Sequence, residues 1–282
     1  MKVTALETCV LSAPLPQAVR TSTSTITRVS ELIVKLTTDG GLVGIGEGHG
    51  PFLRQGPEGP RAVADIVRRI TPLVVGQDPF EVERIWQDLF ALTYTSVRGI
   101  PTLAAERRAL VTAMSAIDIA LWDLRGKAIG RPVHALLGGA LRSRVPAYVT
   151  GFYYRDGERP DDLVREAALY MEQGYRTVKV KVGGLPPEAD AERVGLIRKA
   201  LGDDVGIMLD ANQGWDLPTA LRAAEGANRT TSSGSRTRCP GTTSATVCGA
   251  SRKRSASRSR PGRRSTPRSA CARWWRKGWS TT

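Results

Sequence analysis

The chain has 282 residues and a formal net charge of +14, which at first indicates a nucleic-acid or membrane partner. Residues 228–282 hold 14 Lys and Arg and no Asp or Glu, which leaves 1–227 neutral with 27 basic and 27 acidic side chains and removes the charge argument there. No stretch approaches the roughly 20 apolar residues of a membrane span, and no signal-peptide run opens the chain, so we expect a cytoplasmic protein without a membrane partner.

The first part of the chain indicates strands followed by helices. Residues 2–14 alternate weakly, as in a strand, and 30–48 predict a hairpin because "TDGG" supplies the positive φ that a tight turn needs. Polar loops are expected at 14–29 and 48–60. Three helical patterns follow, over 61–74, 78–94 and 109–130. A strand meander followed by helices predicts an α+β domain, which we place at 1–130.

From about Val145 onward, strand and helix patterns alternate. They lie at 145–151, 159–175, 177–183, 188–204, 205–212 and 216–226. This β-α-β-α-β-α order with short loops implies parallel strands and right-handed crossovers, as in a Rossmann-type sheet or a (β/α)₈ barrel. No G-x-G-x-x-G follows the first strand, which disfavours nucleotide binding. We place these βα units at 140–227 and expect 228–282, which lack Leu, Ile, Phe, Met and Tyr, to be a disordered basic tail.

Two lysines stand two residues apart in the second of these strand patterns. Val178, Val180 and Val182 alternate with Lys179 and Lys181, so both amines project from the face opposite the valines. A half-exposed strand with solvated lysines is the plain alternative. A parallel strand between crossover helices is normally buried on both faces, however. In a barrel the second face is the interior, and chemistry lies at the C-terminal ends of its strands.

The next strand ends in a second polar pair. Asp210 and Asn212 share one face at the end of "IMLDAN", and a carboxylate with an amide suits an oxygen-preferring cation such as Mg²⁺, although Asp210 could equally cap the following helix. The amines of Lys179 and Lys181, about 7 Å apart at an effective dielectric of about 20, repel by roughly 2.4 kcal/mol. Such repulsion eases deprotonation and favours a general base. The base would take a weakly acidic hydrogen from carbon beside a carboxylate, with a divalent cation stabilising the enediolate.

Four segments together resemble the enolase superfamily, specifically its mandelate racemase/muconate lactonizing enzyme branch. They are "TDGGLVGIGEG", "AMSAIDIALWDLRGKAIGRPVHALLGG", "KVKVGG" and "LDANQGW". The resemblance covers residues 1 to about 226. It implies an α+β capping domain on a (β/α)₇β TIM-like barrel, a bound Mg²⁺ ion, and abstraction of the proton α to a carboxylate. The implied substrate is a small carboxylate or an acid sugar.

The resemblance also implies roles for single residues. By that likeness Lys181 is the base and Lys179 its electrostatic partner. Asp210 is the first metal ligand, and Asn212 is a substrate-supporting residue. An intact member of the family is expected to be a homo-oligomer.

Two loops and one long helix complete the resemblance. Segments 21–28 and 49–55 resemble those that close over the substrate and set specificity, whereas Asp118 and Asp123 of the long helix look structural. Within the branch the lineage indicated is an acid-sugar dehydratase or a racemase/epimerase. Muconate cycloisomerase and dipeptide epimerase chemistry stay open, because "KVKV" and "DANQGW" suit them too.

The chain departs from the family pattern after Glu225, where no acidic residue follows. Two further metal carboxylates and five barrel strands have no counterpart, and the two histidines, His49 and His134, precede the barrel units. We therefore expect a truncated barrel of about three βα units that is inactive.

A frameshift explains the loss of acidic residues and barrel strands after Glu225. Shifted by one nucleotide, "GSRTRCP" permits "WIEDPLP" and "SRSRPGRR" permits "VPIAAGEE", which resemble the family's next two metal-binding strands.

Two other classes of function stay open at this point. The run "SRKRSASRSRPGRR" resembles an Arg/Ser-rich nucleic-acid-binding segment that contacts phosphates electrostatically. Alternatively, the chain is a non-enzymatic fragment whose capping domain only dimerises. RNA binding that weakens steeply with salt would favour the nucleic-acid-binding protein. A sizing column and a Mg²⁺ thermal-shift assay would distinguish the dimerising fragment from the enzyme.

Overall fold

The computed structural model describes residues 1–49 and 58–230, and all of these belong to a single structural unit. The first sheet is antiparallel and contains β1 (Val3–Arg20), β2 (Thr25–Thr38) and β3 (Val43–Gly48) in that order. The turn between β2 and β3 includes Gly41 at φ +78°, a value that glycine adopts without strain. The predicted hairpin is therefore present as β2 and β3.

The polar loop predicted at 14–29 is wrong, because β1 and β2 extend through most of this segment. Only residues 21–24 lie outside β1 and β2. Among the described residues β1 is an end strand of the sheet, and Pro14 and Pro16 are tolerated there because no further described strand needs the hydrogen-bond donors that they lack. The substrate-closing loop expected at 21–28 is thus four residues long in the structure.

Helices follow the sheet. They are α1 (Glu58–Ile70), α2 (Val82–Ala91), α3 (Arg107–Ile129) and the short α4 (Val133–Leu136), with single 3₁₀ turns at Thr71–Leu73 and Ala104–Glu106. α2 begins later than the sequence predicted, because Asp78 accepts a hydrogen bond from the Phe80 amide in a turn that precedes the helix. Apolar side chains of α1, α2, α3 and the sheet form the first core.

Helix α3 lies directly on β3, and two glycines make this close approach possible. A Cβ on Gly46 would lie 1.9 Å from the carbonyl oxygen of Ala116, and one on Gly44 would lie 2.3 Å from that of Ala120. Asp123 also ties the helix to the strand, because its Oδ2 accepts a hydrogen bond of 2.8 Å from the Ile45 amide. This contact agrees with the structural role expected for Asp123.

The second part of the chain alternates strands and helices, as the sequence predicted. Its elements are β4 (Val149–Gly151), α5 (Pro160–Glu172), β5 (Thr177–Lys181), α6 (Pro187–Leu201), β6 (Gly206–Asp210) and α7 (Leu217–Thr230). The strands are parallel, in the order β4-β5-β6. β4 is shorter than the predicted 145–151, and Val145 is exposed. Val178, Val180 and Val182 are at most 1% exposed and form the centre of the second core.

Several sequence-based expectations fall partly or wholly outside the described residues. The tail predicted at 228–282 is wrong at its first three residues, because α7 continues to Thr230. The rest of that tail, the proposed shift of reading frame within it, and the greater part of the loop at 49–55 lie outside the described residues. The domain boundaries at 1–130, 140–227 and 228–282 stay predictions. Within 1–49 and 58–230, no helix is both long and apolar enough to cross a membrane.

Candidate active site

The ends of β5 and β6 bring the candidate residues to one edge of the parallel sheet. Lys181, the last residue of β5, is the direct register partner of Asp210, the last residue of β6. Since side chains alternate along a strand, both project from the face opposite Val180. Lys179 lies two residues back on the same face, paired with Met208.

The Asp210 carboxylate lies between the two amines. Its Oδ2 accepts a hydrogen bond of 2.8 Å from Lys181 Nζ and lies 3.5 Å from Lys179 Nζ. Lys181 Nζ also donates to Asn212 Oδ1 at 3.0 Å. The side chain of Lys181 is 7% exposed and that of Lys179 is 26% exposed. The alternative of freely solvated lysines therefore does not describe Lys181.

The neighbours of Asp210 stabilise its ionised form. Burial would raise the pKa of this carboxyl, but hydrogen bonds from Lys181 Nζ and the Asn212 amide, with the charges of Lys181 and Lys179, hold the pKa below its ordinary value. From the sequence, the two amines were expected to repel each other. In the structure a carboxylate compensates both charges, which no single-strand pattern could reveal.

A turn after β6 returns Asn212 to the site. Asn212 and Gln213 have positive φ values of 47° and 66°, a region that asparagine occupies more readily than most residues with a side chain. The Asn212 amide donates to Asp210 Oδ1 at 3.0 Å, while its side-chain oxygen accepts from Lys181. This backbone conformation places one residue in contact with both the carboxylate and the buried amine.

Two tyrosines that flank β4 lie against the amines, and the sequence analysis missed both. Lys179 Nζ is 5.5 Å from the centroid of the Tyr148 ring, and Lys181 Nζ is 5.3 Å from that of Tyr153. Aromatic faces at such distances attract ammonium groups. The available signal was the aromatic run "YVTGFYY" around β4, which the pattern analysis treated only as strand and loop.

The loop at residues 21–24 reaches the same edge from the first part of the chain. Ser22 Oγ donates a hydrogen bond to the carbonyl oxygen of Ala211. Gly183 and Gly214 leave room for this contact, since a Cβ on Gly214 would lie 2.6 Å from that of Ser22. The short loop is therefore held against the residues that follow β5 and β6.

The described residues do not form a complete magnesium site at this edge. Both oxygens of Asp210 are already engaged, Oδ2 by the two amines and Oδ1 by the Asn212 amide. Within 1–49 and 58–230, Asp210 belongs to no group of three His, Cys, Asp or Glu side chains with ligand atoms inside 4.8 Å of one another. A lone carboxylate beside two ammonium groups does not fit a divalent cation, which needs an excess of negative oxygen ligands.

Two family models match the chain, one in its first part and one in its second part. Residues 5–138 match the model described as mandelate racemase / muconate lactonizing enzyme, N-terminal domain, and 162–230 match the one described as enolase C-terminal domain-like. The chain belongs to the mandelate racemase/muconate lactonizing enzyme branch of the enolase superfamily. The resemblance inferred from the four sequence segments is thereby confirmed.

Relatives of this enolase-superfamily chain include several named enzymes. It is 34% identical over 222 residues to a D-galactarolactone cycloisomerase of Agrobacterium fabrum. The aligned residues make up 78% of this chain and 54% of that protein. The chain is 34% identical over 228 residues to muconate cycloisomerase 1 of Rhodococcus opacus, covering 79% and 56%. The structure of a 3,6-anhydro-D-galactonate cycloisomerase from Zobellia galactanivorans aligns with a TM-score of 0.66 at 32% identity, over 82% of this chain and 56% of that one. This superfamily member therefore spans about half the length of the curated relatives it matches.

Proposed function

We propose that the chain derives from an enzyme that removes the proton α to a carboxylate, with Lys181 as the base. The observation that carries this proposal is the Lys181 amine, which is buried at the carboxyl edge of the parallel sheet and lies 2.8 Å from Asp210. Barrel enzymes carry out their chemistry at this edge. Relatives named D-galactarolactone cycloisomerase and N-succinyl-L-Arg/Lys racemase support a small carboxylate or acid-sugar substrate.

Each side chain has its own task in this proposal. Lys181 Nζ, once neutral, accepts the α-proton on its lone pair. Lys179 keeps its positive charge on the same face and favours the negative charge that develops on the substrate carboxylate. Asn212 supports the substrate, and the ring of Tyr153 covers the base and limits access of water to it.

Asp210 is proposed as the first metal ligand of a complete enzyme of this lineage, for which we expect Mg²⁺ dependence. Among the described residues its oxygens are engaged by Lys181, Lys179 and the Asn212 amide. We therefore propose that the chain 1–282 does not hold Mg²⁺ and does not turn over substrate. Turnover by purified 1–282 of confirmed intact mass would contradict this.

A shifted reading frame best explains the change in composition after residue 227. The match to the second family model ends at 230, close to the last acidic residue, Glu225. The shifted frame permits glutamate at the codons of Arg236 and Arg263, 26 codons past Asp210 and a further 27 codons on. Each interval is about the length of one βα repeat. We propose that these are the missing carboxylates of the complete enzyme.

DNA sequencing across the codons for 226–228 tests the frame, and a gene with no missing base there refutes the shift. The protein expressed in the corrected frame is expected to exchange the α-proton of its substrate with D₂O, which NMR detects directly. Lys181→Met should slow this exchange by about 10²- to 10⁴-fold, the usual contribution of a general base. Lys199→Met, on the exposed surface of α6, is the matched control. Exchange that survives Lys181→Met rejects Lys181 as the base.

Within the branch, we propose an acid-sugar dehydratase or a racemase/epimerase. The shifted-frame string "IEDP" supports the mandelate racemase side. Muconate cycloisomerase and dipeptide epimerase are the alternatives, and a muconate cycloisomerase 1 and an L-Ala-D/L-Glu epimerase are among the relatives. A panel of acid sugars, muconates and dipeptides offered to the frame-corrected protein separates these reactions by product.

The nucleic-acid alternative depends on 228–282 and stays a prediction. RNA binding by the full chain that falls steeply with salt, and that disappears when 228–282 are deleted, would favour it over the enzyme lineage.

A further inference from the structure

A buried polar network lies on the helix side of the strand that carries Lys181. Asp190 and Arg193 stand three residues apart on α6 and are 2% and 6% exposed. Burial raises the pKa of the Asp190 carboxyl even though several hydrogen bonds act in the opposite direction. Burying these charges is therefore unfavourable in itself, and apolar side chains would fill the same space more easily. The specific contacts made by the two residues thus call for an explanation other than packing.

Asp190 holds the turn that follows β5. Its Oδ2 accepts a hydrogen bond of 2.6 Å from the Gly183 amide, and its Oδ1 accepts one of 2.6 Å from the Tyr154 hydroxyl. The Tyr154 oxygen in turn accepts a hydrogen bond of 3.0 Å from the Gly184 amide. One carboxylate–phenol pair therefore binds both amides of the glycine turn, and Gly183 reaches it with φ +87°.

Arg193 holds the backbone of the base itself. Its Nη1 donates to the Lys181 carbonyl at 3.0 Å, its Nη2 to the Phe152 carbonyl at 2.8 Å, and its Nε to Glu158 Oε2 at 3.0 Å. Phe152 follows β4 and has φ 51°, a conformation that persists for an aromatic residue only where its surroundings enforce it. The guanidinium thus joins the ends of β4 and β5 at the edge where the site lies.

The end of β5 is consequently fixed by β6 on one side and by the α6 network on another. We propose that Asp190 is a positioning residue, which acts through the 183–184 turn and Tyr154 to fix the end of β5 and so the place of Lys181 Nζ beside Asp210. This inference rests on the proposed role of Lys181 as the base.

Asp190→Asn in the full chain 1–282 tests the proposal through the position of the amine. An amide keeps one acceptor oxygen and presents donors in place of the other, so either the Gly183 amide or the Tyr154 hydroxyl loses its partner. We expect hydrogen exchange of the Gly183 and Gly184 amides, measured by NMR, to rise by about 10- to 100-fold. Reductive methylation of Lys181, measured by peptide mass spectrometry against exposed Lys199, should accelerate several-fold.

Arg198→Gln is the matched control on the same helix. Arg198 is also 6% exposed, but its Nη1 donates to the Gly202 and Val205 carbonyls at the other end of the sheet. The variant should lower thermal stability without a selective change in Gly183 exchange or Lys181 methylation. Equal responses in the two variants, or Lys181 methylation unchanged in Asp190→Asn, would overturn the proposal.

Tyr154→Phe covers the case in which Asp190→Asn does not fold. It keeps the ring and removes the hydroxyl between Asp190 and Gly184, so exchange of the Gly184 amide should rise more than that of Gly183, and Lys181 methylation should rise with it. Unchanged exchange at Gly184 contradicts the network. Exchange and methylation report geometry rather than turnover. The expected responses, combined with α-proton exchange by the frame-corrected protein that survives Lys181→Met, would therefore count against the proposed function alone, whereas absent responses count against positioning by Asp190.

Discussion

The hydroxyl of Ser22 and the carbonyl of Ala211 are joined by a hydrogen bond across 189 positions of sequence. The contact connects the loop between β1 and β2 to the residue directly after Asp210. Together with the two backbone hydrogen bonds between Arg20 and Tyr154, this contact holds the four-residue loop beside the ends of β5 and β6. Side chains at 21–24 are therefore expected to influence which substrates fit the site.

Replacing Ser22 with Ala should loosen this loop. Loss of one hydrogen bond costs about 1 kcal/mol, which is enough to raise local exchange without unfolding the chain. Amides of 21–24 should exchange faster, and trypsin should cleave after Arg20 more rapidly. Thr23→Ala alters an exposed side chain of the same loop and is the control. Equal cleavage rates for wild type and Ser22→Ala would show that the hydroxyl does not hold the loop.

Replacing Gly46 with Ala should destabilise the antiparallel sheet strongly. The new Cβ would lie 1.9 Å from the Ala116 carbonyl oxygen, so α3 must move away from β3. Overpacking of this kind costs about 1–3 kcal/mol in the free energy of unfolding, and backbone contact places this site at the upper end. Urea unfolding measures the loss. Gly40→Ala meets nothing within 4 Å and should be nearly neutral, so equal losses in the two variants would contradict the packing described for α3.

The two lysines should contribute unequally to stability. Lys181→Met removes a buried hydrogen bond of 2.8 Å to Asp210 and should cost about 2 kcal/mol in the free energy of unfolding. Lys179→Met removes a longer and more exposed contact of 3.5 Å and should cost less than about 1 kcal/mol. Parallel urea titrations at neutral pH give both values. The reverse order would mean that Lys179, rather than Lys181, is the main partner of Asp210.

Asp162 should contribute to stability in a pH-dependent way. Its Oδ2 accepts a hydrogen bond from the Arg159 amide at the start of α5, and this bond, with nearby arginine charges, lowers the pKa of the carboxyl. A lowered folded-state pKa stabilises the protein above the unfolded value of about 3.9 and loses this effect as pH falls through the lower value. Asp162→Asn should therefore reduce the melting temperature at pH 6 and converge with wild type in strong acid.

Asp161→Asn makes the same charge change one residue away and is the control for that measurement. A difference between wild type and Asp162→Asn that stays constant from neutral pH to strong acid would contradict a contribution from the ionised carboxylate.

The strands at the site and the faces of their side chains could be predicted from the sequence, but the contacts between side chains of different strands could not. The alternation of Val178, Val180 and Val182 with two lysines sufficed to place both amines on one face, because strand periodicity is local. The contact between Lys181 and Asp210 depends on the register of two strands 29 positions apart, which neither strand specifies alone. From the sequence, Lys179 and Lys181 were expected to repel each other and Asp210 to bind a cation, so the hydrogen bond between Lys181 and Asp210 was not predicted.

The wrong prediction of a loop at 14–29 has a similar physical origin. The polar segment 14–29 was predicted to be a loop, but an end strand tolerates polar residues and proline, and the order of strands in a sheet cannot be read from a local pattern. Asp190 and Arg193 were likewise indistinguishable from ordinary surface charges of a helix. Only packing against the ends of β4 and β5 reveals that both are buried.

The pairing of Lys181 with Asp210 also restricts how this gene can vary. Deleting a single residue from β5 would turn the amines toward the helices and bring valines next to Asp210, because side chains alternate strictly along a strand. The number of residues within β5 is therefore fixed as long as Lys181 is to contact Asp210. The lengths of the loops that connect the strands are not restricted in this way.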